Sequence, residues 1–168
     1  MRETQIDVAY PAADKPHLRI ALGACRLAAR PGEGGGWVVG TYRDPTERRP
    51  LRIVEEEAGA TITEAEPSIE RIPAVFGGVP RYELDFGGIL SRDAEVSIET
   101  GLSGVEISVP GSTRTRVAAE TTLGSVDVGD GFTKKEGVFL TEAALSGDGP
   151  LLRIRAGVRL GSLQLRAT

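Results

Sequence analysis

The chain has 168 residues, of which 40% are apolar and 5% aromatic, so it can bury one core built mainly from aliphatic side chains. Its 24 acidic and 20 basic residues give a net charge of −4, which argues against nucleic acid as a partner. No apolar run is long enough to span a membrane, and the N-terminus lacks a secretion signal. We therefore expect a cytoplasmic protein if the chain is complete, and a membrane-associated fragment otherwise.

The 22 glycines and 10 prolines predict many turns between short segments rather than long helices. Residues 1–17 are polar and favour an arm that adds an edge strand. Residues 18–27 alternate in polarity, and a glycine-rich turn joins them to a strand at 37–42, which gives a hairpin-like unit. A second strand pair is expected at 51–54 and 60–63.

The alternation of apolar and polar residues sharpens from residue 81 onward. We predict strands with one buried and one wet face in six segments: 82–86, 96–99, 105–109, 115–119, 152–156 and 163–165. The stretch 133–144 is ambiguous, and no helix of more than two turns is expected. This pattern excludes a parallel sheet sandwiched between helices.

A six-residue pattern recurs along the chain: apolar, glycine or small, small, apolar, polar, apolar. It begins at four leucines, namely Leu22, Leu102, Leu123 and Leu160. Small residues let a strand turn sharply, so we expect the apolar residues on both sides of the turn to point inward. The prediction is one dry interior formed by residues 102, 105, 107, 123, 126, 128, 160, 163 and 165. A Val126→Asp substitution is therefore expected to unfold the domain.

The spacing of these motifs indicates a regular stack of strands. Val105 and Val126 lie 21 residues apart, and a repeat near 20 residues with small corner residues is typical of a β-solenoid rung or a stack of sheets. Val126 and Leu163 are 37 residues apart, so one rung would carry residues 129–150 as an insertion. The fold is predicted to be all-β.

The chain resembles the toast-rack domain family in four segments: 79–85, 96–110, 123–126 and 158–163. That family is similar to the C-terminal domain of LiaF-type bacterial envelope-stress regulators and to adhesins with a β-helical fold. Residues 18–27 resemble the N-terminal unit found in some toast-rack proteins. The resemblance implies a right-handed β-helix-like solenoid or stacked antiparallel sheets, with a β-sandwich as the alternative.

The same resemblance has implications for domains and chemistry. It implies an N-terminal β unit over residues 1–80, packed on the same core as a toast-rack repeat region over 81–168, in one continuous globular domain. The family has no established catalytic residues, so none are implied here. Its members commonly follow transmembrane segments, a feature that this sequence does not share.

Few residues suit catalysis or metal binding. His17 is the only histidine, so a histidine-rich metal site cannot form, and we expect it on the surface. Cys25 occupies an inward motif position and is expected to be buried. The glycines of 32–40 lack phosphate-loop spacing, and Asp127, Asp130 and Asp148 are expected in turns rather than around calcium. We predict no catalytic residue, no cofactor and no metal, and therefore no enzyme.

The best candidate for binding is a set of outward arginines: Arg114, Arg116, Arg153, Arg155 and Arg166. If strands 114–118 and 152–156 lie side by side, these arginines form a basic stripe suited to an anionic membrane surface or an acidic protein. The alternative is cross-strand pairing with Glu95, Glu99, Glu106 and Asp127. Trp37, beside a glycine-rich turn, is either a lid over the end of the core or a recognition residue.

We predict a non-enzymatic β-structured scaffold or protein-interaction module, which the resemblance relates to bacterial cell-envelope stress proteins. Its partner is expected to be a protein, or a second copy stacked end to end on an open strand edge, and no small-molecule substrate is expected. The alternative is a polysaccharide-binding or polysaccharide-cleaving β-helix protein. A cleft with two carboxylates about 5 to 10 Å apart would favour that alternative, whereas the low aromatic content disfavours it.

Overall fold

The computed structural model describes residues 2–23, 25–31, 36–44, 50–64 and 81–168, and the all-β prediction is confirmed there. These residues form one short helix and twelve strands: β1 (Arg2–Ala9), β2 (His17–Leu22), β3 (Arg26–Pro31), β4 (Gly36–Asp44), β5 (Leu51–Glu56), β6 (Gly59–Glu64), β7 (Arg81–Asp85), β8 (Ala94–Val109), β9 (Thr115–Val128), β10 (Phe132–Lys135), β11 (Val138–Thr141), α1 (Glu142–Ser146) and β12 (Leu152–Ala167).

Three long strands run parallel to one another in the order β8, β12, β9. Leu163 on β12 lies opposite Val105 on one side and Val126 on the other. The last strand is thus inserted between two strands that follow each other in the sequence. The predicted insertion at 129–150 contains β10, β11 and α1, and it returns the chain to the start of β12, because parallel neighbours need a crossover connection.

Each of these strands turns a corner at the repeated motif. Along β8 the buried side chains occupy even positions up to Thr100 and odd positions from Ser103 onward. Both corner side chains are buried, and the Ser103 hydroxyl donates a 2.7 Å hydrogen bond to Thr100 Oγ1. Since one extra residue shifts the alternation, the strand can continue with its apolar side chains still facing the core.

The corner divides the sheet into two parts. The first half-sheet contains β5, β6, β2, the residues before the corner in β8, β12 and β9, and then β11 and β10. The second half-sheet contains β1, β4, β3, β7 and the residues after the corner. β8 has neighbours along both edges, since β2 pairs with its first part, β7 with its second part and β12 with its whole length.

The inner faces of the two half-sheets share one aliphatic core. The first half-sheet contributes Ile20, Ile62, Ile98 and Ile154, all fully buried, and the second contributes Tyr82, Ile107, Leu163 and Leu165. A hydrogen bond of 3.4 Å from the Tyr42 hydroxyl to Glu64 Oε1 joins β4 to β6 across this core. The low aromatic content is therefore compensated by branched aliphatic side chains from both half-sheets.

The predicted interior positions are correct for the residues that follow the corner and wrong for the leucines at the corner. Val105, Ile107, Leu163 and Leu165 are buried, and Val126 and Val128 are partly buried against the core. Leu102, Leu160 and Leu123 are instead 37%, 45% and 65% exposed. Each of these leucines is the extra residue at its corner, so its side chain points away from the core, where the bend is convex.

The copy of the motif that begins at Leu22 takes a different place. Leu22 pairs with Thr100 rather than with Leu102, and Leu27 lies level with Val105 through Tyr82. Cys25 is buried, as predicted, but it is not at the level of Val105 as its motif position suggested. The predicted strand pair at 51–63 and the edge strand within 1–17 are confirmed as β5–β6 and β1. The predicted boundary at residue 80 falls outside the described residues and stays a prediction.

Candidate interaction surfaces

The predicted arginine stripe lies on the outer face of the first half-sheet. β9 and β12 lie side by side there, with Arg153 opposite Arg116 and Arg155 opposite Ala118. Arg116 and Arg155 are exposed and have no ion pair or hydrogen bond within the described ranges. Arg166 lies beyond the corner on the second half-sheet and pairs with Glu106, so it does not belong to the stripe.

Two further arginines of the stripe hold the fold together. Arg153 Nη1 lies 3.1 Å from Asp93 Oδ2, while the backbone N–H of Leu151 donates a 2.9 Å hydrogen bond to Asp93 Oδ1. That hydrogen bond, aided by the charge of Arg153, lowers the pKa of Asp93. Arg114 donates to the carbonyl oxygen of Gly149. The arginines of the stripe that lack a partner among the described residues are therefore Arg116 and Arg155.

The predicted carboxylate partners of the stripe are mostly engaged elsewhere. Glu99 pairs with Arg19 of β2 at 3.4 Å, and Asp127 accepts a hydrogen bond of 3.2 Å from Ser125. Only Glu106 pairs with a member of the predicted set, Arg166, at 3.0 Å. Sequence reasoning missed Asp93 because it precedes β8 in a loop, where alternation gives no register.

Trp37 packs at one end of the core. It is partly buried, its ring lies 6.0 Å from that of Tyr10, and Arg92 lies over the Tyr10 ring at 4.8 Å. Trp37 also lines a cavity of about 180 Å³ together with Leu84 and Phe86. This position is where a lid over the core would lie; whether Trp37 also recognises a partner stays a prediction.

A polar trough crosses the outer face of the second half-sheet. Its two adjoining hollows have volumes of about 780 and 900 Å³ and share Ala28, Thr41, Arg81, Glu83 and Glu106 in their walls. Arg81 lies 2.7 Å from Glu106 and 3.2 Å from Glu83, and its hydrogen bond to Glu106 raises the pKa of Arg81. Finding the trough requires the strand register, which the sequence did not give.

Three arginines adjoin one another across this trough. Arg26 lies directly opposite Arg43 and one strand away from Arg81. Arg43 pairs with Glu3 at 2.7 Å, whereas Arg26 has no ion-pair partner among the residues described. Adjacent like charges repel each other across a sheet, so Arg26 is well placed to bind an anionic group.

A row of exposed leucines runs along the outside of the corner. Leu160 lies opposite both Leu102 and Leu123, so the three side chains occupy adjacent strands at one level. Their exposure rises towards β9, the outermost of the three strands. β11 pairs with β9 only at Arg116 and Val117, before the corner. After the corner, β12 is the only described strand that pairs with β9.

Within the described ranges, no group of three or more histidine, cysteine, aspartate or glutamate side chains is arranged to hold a metal ion. The only helix described, α1, has five residues, and nothing in the described part of the chain forms a helix with the length and apolarity of a membrane span.

Comparisons with known proteins identify a similar fold but no family. The chain matches no protein-family model, and it matches no curated protein. It is similar to the crystal structure of a putative cell adhesion protein from Clostridium sporogenes, with a TM-score of 0.56 and 11% sequence identity. The likeness covers 99% of this chain and 100% of that one. At this identity the comparison shows a shared fold.

Proposed function

We propose that the protein is a non-enzymatic β-structured scaffold that binds other proteins. The observation that carries this proposal is the row of exposed leucines leading to the open edge of β9. Contiguous apolar surface and unpaired strand edges are costly to leave in water, and soluble proteins usually cover or charge them. The likeness to a cell adhesion protein supports an interaction role. The relation to envelope-stress proteins is a further part of the proposal, supported by the toast-rack resemblance.

Cross-linking in cells of the source organism, followed by mass spectrometry, tests this proposal. We expect wild-type protein to cross-link to specific proteins, and a variant with serine at Leu102, Leu160 and Leu123 to lose them. Leu145→Ser is the matched control, because Leu145 is 47% exposed but lies on α1. Identical sets of cross-linked proteins for wild type and triple variant would contradict the proposal, provided that both proteins unfold at the same urea concentration.

A second candidate function, polysaccharide binding, is favoured by the polar trough. Its walls carry the hydroxyl of Thr41, the amide of Gln164 and the guanidinium group of Arg26, and such groups bind sugar hydroxyls and acidic substituents. We propose binding rather than cleavage, since Glu83 and Glu106 are both ion-paired with Arg81, whereas hydrolysis needs two carboxyl groups that can contact the scissile bond.

Affinity electrophoresis through gels containing polygalacturonate or a neutral glucan tests the second candidate. If the trough binds acidic sugars, polygalacturonate should slow the wild type, and Arg26→Ala should abolish the effect. Arg19→Ala, on the other half-sheet, is the control and should leave it unchanged. Equal mobility of wild type in gels with and without either polymer would rule polysaccharide binding out.

A further inference from the structure

The residues along the open edge of β9 restrict which strand could pair with it. Before the corner β11 pairs with this edge at Arg116 and Val117, and β11 itself pairs with β10. After the corner, Val126 and Val128 are only partly buried, although Leu163 and Leu165 on the adjacent strand are fully buried. An added strand would place these valines in the environment that the two leucines already have.

The backbone at the corner restricts what such a strand can contain. A Cβ atom on Gly161 would collide with the carbonyl oxygen of Ser103, and one on Gly124 would collide with the carbonyl oxygen of Gly161. Each corner residue thus faces the carbonyl group of its neighbour on the β8 side. A strand added beside β9 in the same parallel manner would face the carbonyl group of Gly124, and it therefore needs glycine at that level.

Charge restricts the partner further. Asp127 and Asp130 are exposed and have no cationic partner in the described part of the chain. Along the adjacent strand the residue level with Asp127 is the neutral Gln164. A basic residue on the added strand, level with Asp127, would be favoured across the strands, whereas an acidic one would be repelled.

A second copy of this chain fits these requirements poorly. Among the described strands of the second half-sheet, the other one with an unpaired edge is β1, where Ile6 and Val8 could lie beside Val126 and Val128. In that register Asp7 would lie beside Asp127, and Thr4, which has a Cβ atom, would lie beside Gly124. Both contacts are unfavourable, so the edge is poorly matched to self-stacking.

We infer that the open edge of β9 binds an extended segment of another protein as an added parallel strand, with the pattern Leu-Gly-x-apolar-basic-apolar. The leucine would continue the row of Leu102, Leu160 and Leu123, and the basic residue would lie beside Asp127. This inference rests on the proposed interaction function and specifies its site and the chemistry of its partner.

Fluorescence anisotropy with synthetic peptides tests the inference on the full chain. The probe peptide contains Leu-Gly-Ser-Val-Lys-Val, and two matched peptides replace its glycine by alanine or its lysine by aspartate. We expect the probe to bind at least tenfold more tightly than either matched peptide. Asp127→Lys should reverse the preference between the lysine and aspartate peptides, and saturation with the probe should slow hydrogen exchange at residues 123–128.

Several results would overturn the inference. Equal binding of all three peptides would exclude the predicted register, as would unchanged binding to Leu123→Ser. A wild-type dimer that dissociates in Leu123→Ser, measured by light scattering, would assign the edge to a second copy. If no peptide binds, but the wild type still cross-links to proteins that the triple leucine variant loses, strand addition is wrong and the proposed function stands. If the cross-linking test fails as well, both are wrong.

Discussion

The same corner occurs three times in the described part of the chain, twice inside the sheet and once at its margin. In β8 and β12 the strand after the corner has neighbours on both sides, and its apolar residues are buried. In β9 the same sequence pattern has one described neighbour, and its valines are only partly buried. Among these three copies, burial therefore follows the position of the strand in the sheet rather than the motif. Interior copies contribute stability, and the marginal copy is the one that we propose as a binding surface.

Replacing an apolar residue by a charged one should give the largest difference in stability loss between an interior strand and the marginal strand β9. Leu163→Asp would bury an unpaired carboxylate between β8 and β9, at a cost of several kcal/mol against a typical total stability of about 5–15 kcal/mol. Val126→Asp should cost markedly less, because the partly buried position lets the carboxylate reach water. Urea denaturation followed by circular dichroism measures both.

The expectation that Val126→Asp unfolds the domain is thereby revised. We now expect this variant to fold with a lowered denaturation midpoint, while Leu163→Asp is unfolded without urea. Equal destabilisation of the two variants would show that β9 is covered in solution as fully as β12, and the distinction between interior and marginal corners would be lost.

Replacing a corner glycine by alanine should give the next largest loss of stability. Gly161 has a φ of +140°, and an added Cβ atom would meet the backbone of Ser103 in a strand held on both sides. Gly161→Ala should cost about 3 kcal/mol. Gly124→Ala should cost less, because the marginal strand can move outward. Gly101→Ala is the control, since a Cβ atom there would have no described heavy atom within 4 Å apart from those of its two chain neighbours, and its cost should stay within about 1 kcal/mol.

After the corner, one edge of β8 is covered by β7, and a buried tyrosine of β7 stabilises this part of the sheet. Tyr82 on β7 is fully buried, and its hydroxyl donates to the carbonyl oxygen of Gly23 and lies 3.2 Å from Cys25 Sγ. Tyr82→Phe leaves that carbonyl group with one hydrogen bond fewer and should cost about 1–2 kcal/mol at pH 7.

The tyrosine also makes this cost depend on pH. Burial, aided by Cys25, raises the pKa of Tyr82 above its ordinary value of 10.0. Stability from the neutral hydroxyl is thus complete below pH 10 and falls as the unfolded chain ionises, by up to about 1.4 kcal/mol per pH unit. Groups common to both proteins cancel, so the stability difference between wild type and Tyr82→Phe should shrink between pH 10 and 11. A constant difference would contradict this.

The features that the sequence predicts correctly are those that depend on residues close to one another in the chain. Alternation identified β8, β9 and β12, because burial of one face repeats every second residue. It left residues 133–144 ambiguous, and β11 and most of β10 lie there. The small residues of the motif identified the corners. The sequence could not show that Leu102, Leu160 and Leu123 point outward, because apolar side chains at a bend look the same whichever way they face.

Strand order was equally hidden from the sequence. The spacing of the repeats did not show that β12 returns from the end of the chain and separates β8 from β9. The trough and the open edge both follow from that order. They depend on which strands are adjacent, which local patterns do not encode. Sequence reasoning therefore supplied the elements of the candidate sites and missed their assembly.

The arginine stripe also contains residues with and without a partner, and substitutions there are expected to have the smallest effect on stability. Arg116 and Arg155 have no described partner, so a variant with glutamate at both positions should keep its stability within about 1 kcal/mol. Arg153→Glu should lower stability more, because it replaces the ion pair with Asp93 by a repulsion. If the stripe binds anionic membranes, wild type should sediment with phosphatidylglycerol vesicles at low salt and the double variant should not. Phosphatidylcholine vesicles are the control, and a wild type that sediments with neither would leave Arg116 and Arg155 without a membrane role.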